Sequence, residues 1–247
     1  MSGNMAARRV FITGGTGSVG RALVAAFRAR KDAVTFQFHG NQRVADEMCS
    51  DLGVEPIQLD LSGEFELPRA DFDVVVNNAG INISDVSTHE VSLPDWSRTL
   101  TLNVTAPFRI IRQCLPTMMQ KRWGRIINIS SIYGLRAVEG RLPYTVSKHA
   151  LAGLTKTIAK EYAPHGITCN EICPGPIDSD MLTRIVSKEA ADSGTPLAEC
   201  FREICEGIPA GRLANVQEIA SLAVFLASDE AGYLNGASIP IDGGMIV

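Results

Sequence analysis

Tyr144 and Lys148 stand four residues apart, so on a helix they share one face, one turn from each other. A free tyrosine titrates near ~10 and is a poor base at neutral pH, but a neighbouring ammonium favours its phenolate, which makes the pair a candidate acid/base couple. With four tyrosines and six lysines in 247 residues, the spacing alone arises easily by chance. Two further polar residues stand out: Ser131, just after the apolar run Arg125 to Ser130, and Asn103 inside a long helical pattern. A phenol and a hydroxyl, if the fold brought them to one point, would suit a carbonyl oxygen that gains negative charge: one delivers a proton, the other a hydrogen bond. The structural alternatives are a Ser131 hydroxyl bonded into its own strand and an Asn103 that only marks a kink near Pro107.

Those side chains need a scaffold, and the hydrophobic pattern supplies it. Apolar runs at Arg9–Thr13, Val34–Phe38, Val54–Leu59, Val74–Val76, Arg125–Ser130, Gly166–Ile172 and Ser238–Ile241 predict seven strands. Helical periodicity falls between them, at Leu23–Phe27, Arg43–Leu52, Asp95–Arg122 (one long helix despite Pro107 and Pro116), Pro143–Tyr162 and Val216–Leu226. Strands alternating with helices predict an α/β fold: a doubly wound parallel sheet covered on both faces, in a single domain over 1–247. Residues 1–8 are expected to fray. The stretch from Leu61 to Phe72 is so short a crossover that any helix in it is a stub, and the charged segment 179–207 reads as a lid over a substrate.

The first strand breaks into Thr13-Gly14-Gly15-Thr16-Gly17-Ser18-Val19-Gly20 before the first helix. Glycines at such a turn let the backbone approach a pyrophosphate at the helix N-terminus, although any tight strand-to-helix turn favours glycine. Together with Asn77-Asn78-Ala79-Gly80, Ser131, Tyr144-xxx-Lys148 and Pro174-Gly175, in that order, the turn resembles the short-chain dehydrogenase/reductase family from about Arg8 to the C-terminus. One departure is Ser18, which takes the place of the middle glycine of the usual single-domain pattern and alters the path expected of the loop.

The resemblance implies a Rossmann-type fold and hydride transfer between a nicotinamide cofactor and a carbonyl or secondary alcohol. It makes Asn103, Ser131, Tyr144 and Lys148 the catalytic residues, with Lys148 also reaching the nicotinamide ribose and Asn103 holding a water that links Lys148 to solvent. It assigns Gly14, Thr16, Gly17, Ser18, Val19 and Gly20 to the pyrophosphate, Asp60 and Leu61 to the adenine, and Asn78, Ala79 and Gly80 (with Asn77) to the cofactor's path. Pro174, Gly175, Ile177 and Ser179 are expected to close over the nicotinamide. After the second strand, where NAD-selecting members place an acid, Phe38 is followed by His39, Asn41 and Arg43. With no carboxylate to repel a 2′-phosphate and three donors to hold one, NADP(H) is favoured over NAD(H).

For the substrate two patterns compete. Ile208–Leu213, Glu218-Ile-Ala, Phe225–Asp229 and Asp242-Gly-Gly244 resemble 3-oxoacyl-carrier-protein reductases, which implies an acyl thioester on an acyl carrier protein, with Arg125 and His165 as basic contacts for the carrier. Ser147-Lys148-His149, Ile167–Asn170 and Ile172–Gly175 resemble 3-hydroxybutyrate dehydrogenases, whose carboxylate-binding positions are here Asn82, Tyr133 and Arg141. Arg141 as a solvated loop residue is the alternative.

Composition narrows the partners. The net charge of −4, without a basic block, gives no attraction for nucleic acid, and no apolar run approaches a membrane span. The six cysteines form no CxxC pair, so reduced thiols are expected and no metal. MSGNMAARR lacks the apolar core of a signal peptide, which reads as cytoplasmic. Relatives are typically homotetramers, so a homo-oligomer is expected. A non-catalytic nucleotide-sensing subunit is the alternative of another class.

Overall fold

The computed structural model describes residues 7–83 and 86–247. Seven strands, all parallel, form one sheet in the order β3-β2-β1-β4-β5-β6-β7. In chain order the elements are β1 (Arg9–Ile12), α1 (Ser18–Ala29), β2 (Ala33–Phe38), α2 (Gln42–Leu52), β3 (Glu55–Gln58) and β4 (Val74–Asn77). Next come α3 (Leu93–Leu100), α4 (Ala106–Lys121), β5 (Gly124–Ile129), α5 (Leu142–Tyr162) and β6 (Ile167–Pro174). The chain closes with α6 (Asp180–Ser193), α7 (Leu197–Glu206), α8 (Val216–Leu226) and β7 (Ser238–Ile241).

Alternate residues of each strand point to opposite faces, and both faces are covered. On one, Val10, Ile12, Val34, Phe36, Val74, Val76 and Ile127 pack with α1, α2 and α8. On the other, Phe11, Val75, Ile126, Ile167 and Cys169 pack with α4, α5 and the Leu61–Phe72 stretch. The strand order reverses between β1 and β4, so the segments leaving their C-terminal ends diverge and leave a crevice, the place where open α/β sheets bind ligands.

Three expectations are corrected. The helix expected over Asp95–Arg122 is interrupted: Thr101–Thr105 form a π-helical turn between α3 and α4, and the extra residue turns Asn103 into the core. The short crossover 61–72 is in keeping with its expected lack of room for more than a stub: Leu61, Leu67 and Phe72 plug the core from an irregular path without a helix. Arg8 is anchored rather than frayed: its N–H donates to Asp32 and its guanidinium stacks on Trp123; residues 1–6 lie outside the described residues. β6 runs on through Pro174, which carries that residue directly to the crevice.

Candidate active site

The glycine turn is held from below. Gln37, buried on β2, accepts from the N–H of Gly14 (2.9 Å) and donates to the Leu59 carbonyl (2.6 Å), so one side chain fixes the height of the turn above β1. Thr13 Oγ1 accepts from the N–H groups of Asn78 and Ala79, tying the segment after β4 to the same turn. Gly14 has φ +64°, and a Cβ on Gly20 would lie 2.1 Å from the Gly14 carbonyl oxygen, so neither position admits a side chain. Gly17 caps α1 without any side-chain hydrogen bond, and the first turn of the helix carries no acid. The N–H groups of that turn thus meet no acid of their own helix, which fits a pyrophosphate.

Residues Gly14, Thr16 to Gly20, His39, Asn41, Asp60, Leu61, Asn78 to Gly80, Pro174, Gly175, Ile177 and Ser179 line one cleft of about 680 Å³. So do Ser131, Tyr144, Lys148, Asn82, Tyr133 and Arg141. Two expected residues lie elsewhere. Arg43 points away along α2 and pairs with Glu47 at 2.5 Å, because the helix begins at Gln42 and turns position 43 to solvent. Asn77 is buried beneath the cleft, donating to Asn128 (2.8 Å). Asp60 is held below the usual carboxylate range by Ser62, and it stands 3.8 Å from His39 rather than capping a helix.

At the far end of the cleft, α5 presents Tyr144 and Lys148, started by Pro143 in its first turn, where the missing N–H costs nothing. Lys148 Nζ donates to the Ile129 carbonyl (2.9 Å) and lies 5.4 Å from the centre of the Tyr144 ring. Burial pulls this ammonium down to about 8. Burial pushes the Tyr144 phenol up to about 12, while the Ser131 hydroxyl and the Arg141 guanidinium act the other way. Lys148 and Arg141 both line the cleft with Tyr144. Ser131 stands two residues past the end of β5 and accepts from the Tyr133 N–H (3.2 Å), and Tyr133 packs edge-on to Tyr144.

Asn103 does not line the cleft. Its amide clamps the backbone of Ile81 in both directions (2.9 Å each) and donates to Ser147 (3.0 Å), locking the segment after β4 onto α5. Both amide hydrogens are committed to protein, so any part in a proton path falls to the Asn103 carbonyl oxygen.

The outer wall comes from α6, with Met181, Leu182 and Ile185 facing the cleft; sequence reading placed the segment without naming these side chains. Arg141 is half-buried and pairs with Glu189 of α6 at 2.8 Å. Ser18 Oγ donates to the Asp180 carboxylate (2.8 Å) and accepts from the Asp180 N–H (3.0 Å). The serine in the glycine's place therefore joins the turn to the wall.

A family model described as enoyl-(acyl carrier protein) reductase matches residues 15–246. The chain belongs to the short-chain dehydrogenase/reductase family. Among its curated relatives in this family is the 3-oxoacyl-acyl-carrier-protein reductase of Aquifex aeolicus, 33% identical over 248 residues, with 95% of each chain covered. The D-beta-hydroxybutyrate dehydrogenase of Rhizobium meliloti is 36% identical over 173 residues, 70% of this chain and 67% of that one. The solved actinorhodin polyketide ketoreductase with NADPH superposes with a TM-score of 0.89 at 25% identity, covering 97% of both chains. Within the short-chain dehydrogenase/reductase fold, Arg125 is a core residue. It is 4% exposed, donates to the carbonyls of Gly124, Gly166 and Ser228 and stacks on Trp123, so it is no free contact for an acidic carrier. His165 lies half-buried against Tyr162.

Proposed function

We propose that the chain reduces the ketone of a 3-oxoacyl thioester to the secondary alcohol, using NADPH. The observation that carries this reading is that the glycine turn and the Ser131–Tyr144–Lys148 group open into one cleft, while the arginine nearest the phenol is already neutralised by Glu189. A site built for a free carboxylate would leave Arg141 unpaired; a neutral thioester needs no such cation.

The nicotinamide, when bound, supplies the hydride. Tyr144 gives its proton to the carbonyl oxygen as negative charge develops there, and Ser131 donates a hydrogen bond to the same oxygen. High proton affinity suits this direction, since a buried phenol at about 12 is wholly protonated at neutral pH. Lys148 holds a positive charge at the floor, and Asn103 positions α5 against the segment after β4. His39 and Asn41 would contact a 2′-phosphate, and Phe38 offers no carboxylate to repel one; Arg43 takes no part. Residues 180–206 act as a lid, with Asn82 and Tyr133 beside the substrate. The protein works as a homo-oligomer in the cytoplasm.

A second reading, oxidation of a short hydroxy acid, is favoured by one observation: Arg141 lines the same cleft as Tyr144. Release of Arg141 from Glu189 would then provide a carboxylate site. Loss of reduced-nicotinamide absorbance separates the readings. The expected result is turnover of acetoacetyl thioester with NADPH. Turnover of acetoacetate alone overturns the thioester assignment, preference for NADH overturns the cofactor assignment, and nucleotide binding without turnover of either substrate favours a sensing subunit.

A further inference from the structure

Glu171 lies in the middle of β6 with 0% exposure, and neither carboxylate oxygen has a hydrogen-bond partner. Directly beside it in register on β7 stands Ser238, whose hydroxyl is also buried and unpartnered. On the other side is Asn128 of β5, whose amide is already engaged by Asn77 and Thr155. Strand alternation puts Glu171 on the face that bears Cys169, the face covered by α5. An isolated carboxylate in such a place is strongly disfavoured unless a cation compensates it. The buried lysine of the facing helix is Lys148. Its Nζ is bonded to the carbonyl of Ile129, the register partner of Ile172, the residue that follows Glu171.

We infer that Glu171 is the internal counter-charge of Lys148: a positioning residue that keeps the ammonium charged and seated under the cleft from behind, without touching cofactor or substrate. This rests on the proposed role of Lys148 but not on turnover. Glu171 opposes the effect of burial on Lys148 more than any other group does. The remaining groups facing the pair are neutral. Burial raises the thiols of Cys169 and Cys173, the latter to about 12, and keeps the Tyr144 phenol protonated; Asn128 and Ser238 carry no charge. Sequence reading passes over Glu171 because one acid in a strand looks like an outward-facing residue.

The test is direct titration of Lys148 in the protein without cofactor, through lysine labelled with ¹³C at the ε-carbon. There are six lysines, and K148M identifies the signal. E171Q keeps the shape and removes the charge. It should lower the Lys148 midpoint by about one pH unit or more, a tenfold loss of proton affinity. It should also move the high-pH limb of kcat/KM down by the same interval, a shift that a merely structural role would not produce. A folded E171Q whose midpoint stays within about 0.2 unit of the original overturns the inference. If E171Q does not fold alone, melting temperature decides: K148M strands Glu171 and should melt lower, and K148M/E171Q should recover. A double variant no more stable than K148M overturns the inference as well. Absence of turnover in the unmodified protein would sink the proposed function yet leave both measurements readable.

Discussion

The two walls of the cleft are built differently. The floor carries Ser131, Tyr144 and Lys148 on β5 and α5, with Asn103 locking them from the π-turn, and its polar side chains are bonded to backbone atoms of the core. The outer wall is α6, with α7 packed on it; the two bury only Val186 and Ala190 between them, and α6 is tied to the cleft by Ser18–Asp180, Arg21–Asp180 and Arg141–Glu189. A bond fixed by a packed core holds a reacting geometry to fractions of an ångström, whereas half-exposed polar pairs break at a cost of about 1 kcal/mol. Under the proposed function, the floor determines the reaction and the wall determines what reaches it.

The largest effects should come from the floor. Tyr144→Phe removes the proton donor and nothing from the packing, so kcat should fall by about 10²–10⁴-fold while the far-ultraviolet spectrum and cofactor binding stay intact. Ser131→Ala removes one donor to the developing oxyanion and should cost about 10²–10³ in kcat, with KM nearly unchanged. A large KM effect with normal kcat would instead put Ser131 in uniform substrate binding. The floor also imposes a pH dependence. Burial weakens the hold of Lys148 on its proton, so the ammonium is present below about 8 and lost above it. Turnover measured at saturating cofactor should fall as pH rises through that value; a rate flat to pH 10 would show that the charge on Lys148 is dispensable.

The same contrast explains what could be read from the sequence. The floor rests on strand ends and one helix face, where spacing translates directly into position: Ser131 falls two residues past the end of β5, and Tyr144 and Lys148 fall one turn apart. Strand ranges and α8 agree with the hydrophobic pattern to within a residue or two, because burial on both faces leaves a continuous apolar signal. What escaped was set by packing across the chain. Gln37 looks like an ordinary polar strand residue until Gly14 and Leu59 are placed on either side of it. Arg125 resembles a surface cation, yet Trp123 and three carbonyls enclose it. Proximity in sequence points Arg43 to the cofactor, although the phase of α2, with Glu47 four residues on, turns it outward. The pairing of Arg141 with Glu189 spans 48 residues and has no local signature.

On the wall the expected changes are smaller and fall on KM. Arg141→Ala loses one half-exposed ion pair, so KM for an acetoacetyl thioester should rise by about threefold, with kcat little altered. A hundredfold rise confined to acetoacetate would show that Arg141 leaves Glu189 to hold a carboxylate.

The smallest effect expected is at Ser18. Ser18→Gly restores the glycine usual in the family and removes both hydrogen bonds to Asp180, but it leaves the N–H groups of α1 in place. Pyrophosphate binding by those groups should persist, so the NADPH dissociation constant should change by no more than about threefold. The wall, however, loses its tie to the turn. Limited proteolysis within 180–206 should therefore accelerate in the variant while cleavage elsewhere stays slow. If Ser18→Gly instead abolished NADPH binding without loosening the wall, the hydroxyl would belong to the phosphate site, and the division between a rigid floor and a tethered wall would have to be redrawn at the glycine turn.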